Sequence, residues 1–129
     1  MKVIFTCGGT AGHVNPALAL AGYMRKQDPT VEILFVGTPN GIERGLVAEA
    51  GEDCRGIEVG SFERSMDLDS LRHNAKSAVE LLTLRRRAQA ILREFPADLV
   101  VGTGGYASYP MVKYAALQGI PTAGGGGEI

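Results

Sequence analysis

Val3-Ile4-Phe5-Thr6-Cys7-Gly8-Gly9-Thr10-Ala11-Gly12-His13-Val14-Asn15-Pro16 is the stretch that decides the fold. Val3-Ile4-Phe5 reads as a short buried strand, the glycines as a tight turn, and Asn15 and Pro16 as the cap and first position of a helix over 16–27. A strand that passes through glycines straight into a helix is the opening of a βαβ unit.

The same alternation continues downstream. Ile33-Leu34-Phe35-Val36 predicts a second strand, Gly56 to Val59 a weaker third, Leu99-Val100-Val101 a fourth and Ile120 to Ala123 a fifth. Helical patterns fall between them at about 42–50, 67–95 and 110–118. Apolar runs separated by helices of this length imply a parallel sheet with helices on both faces, a Rossmann-like α/β domain.

The 129 residues suffice for one such domain, with 45% apolar and 21% charged residues. A net charge of −1 gives no electrostatic case for binding nucleic acid. Cys7 and Cys54 fit neither a disulfide framework nor a zinc site and read as free thiols in a reducing compartment. No basic leader precedes the first strand, and no apolar window is long enough to span a bilayer. The expectation is a cytoplasmic protein, at most peripheral on a membrane. The closing run Gly124-Gly125-Gly126-Gly127-Glu128-Ile129 reads as a linker or truncation scar, which makes residues 1–123 an incomplete domain.

Two glycine clusters carry the chemistry. Gly8, Gly9 and Gly12 expose backbone N–H groups at a helix start, where the dipole also favours negative charge. Their spacing is not that of a dinucleotide fingerprint or a P-loop, and strand two ends in Gly37-Thr38 rather than in an acid for a ribose. The second cluster, Gly102-Thr103-Gly104-Gly105-Tyr106, follows strand four. In a doubly wound sheet strands one and four are neighbours at the switch point, so both loops share one crevice with room for two phosphates. Each cluster taken singly could be a mere turn. His13, beside the first helix start, would be held neutral by the dipole, as a general base requires. His73 lies among charges and reads as solvated.

The run from Gly8 through Ala21 (GGTAGHVNPALALA) resembles the first signature of the MurG-type glycosyltransferases. The run from Pro96 through Pro110 (PADLVVGTGGYASYP) resembles the second. Phe35-Val36-Gly37-Thr38 and Gly119-Ile120-Pro121 fall in the family's order between and after them. The resemblance implies the N-terminal, acceptor-binding half of a GT-B enzyme of inverting type that needs no metal or cofactor. Such enzymes move GlcNAc from UDP-GlcNAc onto the muramyl sugar of lipid I, giving lipid II for peptidoglycan. By the same resemblance Gly8, Gly9, Thr10, Ala11, Gly12, His13, Gly102, Thr103, Gly104, Gly105 and Tyr106 bind the acceptor diphosphate. His13 is then the catalytic base or a diphosphate contact.

Two departures accompany it. The family continues with His-Glu-Gln-Asn where the glycine tail stands here, and the domain that binds UDP-GlcNAc is absent. The chain alone is therefore expected not to turn over. A related transferase acting on diacylglycerol, and a non-catalytic module that captures a polyprenyl diphosphate, are the alternatives.

The long helix carries a further pattern. Leu81, Leu84, Ala88, Ile91, Leu92 and Phe95 share the side that should meet the sheet. The remaining surface gathers Leu68, Leu71, Arg72, Lys76, Val79, Leu82, Arg86 and Arg87. Residues 72–93 hold six basic side chains and one acid, Glu80, a net of +5 that leaves −6 for the rest of the chain. An apolar stripe rimmed by arginines suits an anionic membrane surface, as does the resemblance; a solvated basic face is the plain alternative.

Overall fold

The computed structural model of the chain describes residues 1–7, 11–38, 41–57, 75–104 and 108–124. Within the helices, the side chains of 11, 13, 75–78, 80, 81, 108 and 109 fall outside this description. Five strands, β1 (Lys2–Cys7), β2 (Glu32–Gly37), β3 (Asp53–Gly56), β4 (Leu99–Gly104) and β5 (Thr122–Gly124), form one parallel sheet in the order β3-β2-β1-β4-β5. Four described helices connect them: α1 (Ala11–Gln27), α2 (Ile42–Glu49), α3 (Ala75–Glu94) and α4 (Ser108–Leu117). This is the doubly wound architecture that the alternation implies.

Strand side chains alternate between the two faces of the sheet, and each face has its own core. Val3, Phe5, Ile33 and Phe35 pack under Val14, Ala17 and Ala21 of α1 and Val47 of α2, with the Phe5 and Phe35 rings stacked 5.3 Å apart. Ile4, Val36 and Val100 pack on the other face under Ala88, Ile91 and Leu92 of α3 and Met111, Val112 and Ala115 of α4. The side of the long helix read as facing the sheet does so at Leu84, Ala88, Ile91, Leu92 and Phe95, whereas Leu81 lies outside the described side chains.

Three boundaries differ from the sequence reading. The first helix starts at Ala11, not at Pro16, so Asn15 is not its cap and Pro16 sits in its second turn. Val14 is fully buried in line with Ala17 and Ala21, and that burial outweighs the hydrogen bond that Pro16 cannot donate to the exposed Gly12. The third strand is Asp53–Gly56, upstream of Gly56 to Val59. It pairs with β2 at the edge of the sheet, where polar Asp53 and Arg55 are tolerated, and Ile57 follows as a buried plug whose N–H donates to the Gly37 carbonyl at 2.7 Å. The fifth strand starts at Thr122 because Ile120 belongs to the end of α4. There Gly119, at φ 81°, lets the Ile120 N–H reach back to the Ala115 carbonyl at 3.0 Å.

Arg25 of α1 clamps Glu52 through two hydrogen bonds, 2.8 and 2.6 Å, and ties the first crossover to the start of β3.

Candidate anion site at the switch point

β1 is flanked by β2 on one side and β4 on the other, which makes the β1/β4 boundary the switch point. The two strands end together. Cys7, the last described residue before the first glycine cluster, is the register partner of Gly104, the last described before the remainder of the second. The register slips between Thr6 and Cys7, since Thr6 faces Gly102 and Cys7 faces Gly104. Thr103 is thus an extra residue in β4, and Gly104 takes φ 118°, a conformation that side chains disfavour. A bulge of this kind re-aims the chain as it leaves the sheet.

Each glycine cluster leads into a helix, α1 at Ala11 and α4 at Ser108, and neither helix has an acidic residue in its first turn. α1 and α4 lie on opposite faces, so a positive helix end without an acid in its first turn follows each of the two paired strands, β1 and β4. The third helix at this edge is different. α2 holds Glu43 in its first turn, fully buried, with Thr38 donating to Glu43 Oε1 from both its backbone N–H and its hydroxyl at 2.6 Å. Its positive end already has an internal anion.

Of the residues assigned to the diphosphate, Gly102, Thr103 and Gly104 stand at the end of β4, and Ala11, Gly12 and the backbone of His13 open α1. Gly8, Gly9, Thr10, Gly105, Tyr106 and the His13 side chain lie outside the described residues. The Thr103 hydroxyl is not simply presented to a ligand, because it hydrogen-bonds the Cys7 thiol. Burial pushes that thiol up to about 12, helped by the Glu43 carboxylate and by Cys54 and opposed by the Thr103 hydroxyl. Cys7 therefore stays protonated and is no nucleophile. Burial also raises Cys54, against the pull of Arg44. Among the described residues no three His, Cys, Asp or Glu side chains gather as a metal site needs.

The sequence reading missed Glu43. Its signal is the spacing Gly37-Thr38-x-x-Gly41-x-Glu43, in which both glycines lack the Cβ that would collide with the carboxylate.

On the outer side of α3, Val79 is 63% exposed and Leu82 49%, and Arg86 is exposed one turn further on. Their spacing puts all three on one stripe. Arg87 is half-buried and engaged with a neighbour. Leu68, Leu71, Arg72 and the Lys76 side chain lie outside the described residues. No described helix is long and apolar enough to cross a membrane.

The family model for the glycosyltransferase family 28 N-terminal domain matches residues 3–123. Over 122 residues the chain is 44% identical to the UDP-N-acetylglucosamine–N-acetylmuramyl-(pentapeptide) pyrophosphoryl-undecaprenol N-acetylglucosamine transferase of Thermoanaerobacter sp. (strain X514), covering 95% of the chain and 32% of that protein. The protein of the same name from Listeria monocytogenes serovar 1/2a is 43% identical over the same shares. The crystal structure of Acinetobacter baumannii MurG superimposes with a TM-score of 0.75 at 26% identity, over 95% of this chain and 34% of that one. A UDP-GlcNAc 2-epimerase from Methanocaldococcus jannaschii, at 12% identity and a TM-score of 0.61 over 96% of this chain and 31% of that one, shares the fold. The chain spans about a third of the length of the curated relatives it matches.

Proposed function

The chain belongs to the glycosyltransferase family 28 N-terminal domain family, and from that premise we propose that it is the acceptor-binding domain of an inverting transferase that moves GlcNAc from UDP-GlcNAc to lipid I. The product is lipid II. The single observation that carries this reading is the pairing of Cys7 with Gly104, which starts both glycine clusters side by side between two helix ends free of acid. Backbone N–H groups of residues 8–13 and 102–106 bind the acceptor diphosphate there. The bulge at Thr103 and the positive φ of Gly104 redirect the chain at the end of β4.

In the reaction a base takes the proton of the acceptor hydroxyl as its oxygen bonds to the anomeric carbon of GlcNAc and UDP departs. His13, in the first turn of α1, serves as that base. The donor is held by a part of the relatives that this chain does not span, so acceptor binding is the property to measure here.

The exposed stripe of Val79, Leu82 and Arg86 supports a peripheral position on an anionic membrane, where the lipid acceptor resides.

Titration of the chain with pyrophosphate, a lipid I analogue and UDP-GlcNAc tests the reading. The first two bind and the third does not, and Gly104→Val abolishes pyrophosphate binding because a β-branched residue opposes φ 118° and close backbone approach. Undiminished pyrophosphate affinity in that variant refutes the site.

A further inference from the structure

We infer that Glu43 is a positioning residue for this anion site, its buried carboxylate pinning the carboxyl ends of β2 and β1 from which the crevice is built. The inference rests on the anion-site reading above. Glu43 is the one fully buried charged side chain among the described residues, and it belongs to neither glycine cluster. A carboxylate near a site for an anion opposes the ligand, so its presence there calls for a compensating role.

The geometry supplies one. Both donors of Thr38 close on Oε1 at 2.6 Å, which locks the residue that follows β2. The Thr38 carbonyl in turn accepts from the Gly41 N–H at 3.2 Å, so the turn is knotted around the carboxylate. The side chain then runs directly over Gly37, where an added Cβ would stand 2.5 Å from Glu43 Cγ and 3.1 Å from the Cys7 carbonyl oxygen. Glu43, Gly37 and the last residue of β1 are thus in one packed stack. The influence of the Glu43 charge on the Cys7 thiol reports the same proximity. Cys7 leads into the first glycine cluster, so any movement of the stack moves the origin of the anion loop. The carboxylate also occupies the positive end of α2, leaving the ends of α1 and α4 as the places for an external anion.

A charge role and a positioning role predict opposite rankings of two conservative variants. Glu43→Gln keeps the length and an acceptor for Thr38 but removes the charge. Glu43→Asp keeps the charge but falls one methylene short of Thr38. Pyrophosphate affinity of the 129-residue chain, measured by calorimetry at a temperature where melting curves show both variants folded, should be near wild type in Glu43→Gln. In Glu43→Asp it should fall about tenfold, the factor that one hydrogen bond to a charged group is worth. The reverse ranking, or two affinities equal to wild type, overturns the inference and leaves the anion site standing. If Glu43→Asp does not fold, Gly41→Ala breaks the same contact, its methyl colliding with both Glu43 carboxylate oxygens and with the Thr38 hydroxyl that donates to Oε1, and must show the same loss. A wild-type chain that ignores pyrophosphate brings down the anion-site reading instead. Amide exchange at Thr38 and Cys7 then judges Glu43: faster exchange in Glu43→Asp but not in Glu43→Gln upholds the pinning, and no change in either removes it.

Discussion

Replacing Gly37 by alanine should lower the melting temperature by about 10 °C, and the structure says why a single methyl does so much. The backbone of Gly37 is not in the left-handed region, so alanine meets no conformational penalty there. The methyl would lie 2.5 Å from Glu43 Cγ, 2.8 Å from Oε1 and 3.1 Å from the Cys7 carbonyl oxygen, against about 3.5–4.0 Å for relaxed carbon contacts. The Cys7 carbonyl belongs to a strand paired on both sides and cannot yield, so the carboxylate must leave. Its departure breaks two hydrogen bonds of 2.6 Å from Thr38. At the lower end of about 1.5 kcal/mol for each bond to a charged group, the loss is about 3 kcal/mol. Gly to Ala returns about 0.4–1 kcal/mol through the unfolded chain, leaving a net of about 2–2.5 kcal/mol. For a chain of this size each kcal/mol shifts melting by about 4 °C. Thermal unfolding followed by far-UV circular dichroism measures it. A midpoint within about 2 °C of wild type refutes the reasoning. So does simple additivity: with Glu43→Ala already present, Gly37→Ala should cause no further loss, because the group it displaces is gone.

If the proposed function holds, then in a longer protein joining this chain to the remaining part of its relatives His13→Ala should lower turnover by about 10²–10⁴-fold with little change in melting temperature; turnover equal to wild type removes His13 as the base. The chain should sediment with anionic vesicles at low salt, release as salt rises, and bind less as an Arg86→Glu, Arg87→Glu double variant; retention in the supernatant makes α3 a scaffold only. Cys7 sets an alkaline limit. Its folded thiol titrates at about 12 against an ordinary 9.0, so its contribution to stability is full below 9.0 and lost as pH rises toward 12, where the unfolded thiol ionises first. Cys7→Ala should flatten that alkaline decline in denaturant midpoint, and an unchanged slope would dismiss Cys7 as its source.

Much of the architecture was legible in the sequence because burial leaves a periodic trace. β1, β2 and β4 carry runs of apolar residues, and α3 repeats Leu84, Ala88, Ile91 and Leu92 at helical spacing. Once the strands alternate with helices, parallel pairing and the adjacency of β1 and β4 follow from the doubly wound pattern, and the strand ends that lead into the two glycine clusters come together with them. Edges and ends obeyed other rules. β3 holds only half-buried and exposed residues, so its place was decided by hydrogen bonding to β2, and no apolar trace marks it. The start of α1 was decided by the burial of Val14, against a local Asn-Pro signal that reads as a helix start on its own. Glu43 shows the division most clearly. In the sequence it is one of many acids near a helix start, where exposure is the rule. Only the tertiary structure lays it across Gly37 and Gly41 beneath Thr38, because burying a charge depends on donors and space, and these nearby residues supply them only when the end of β2 is held beside Cys7 of β1.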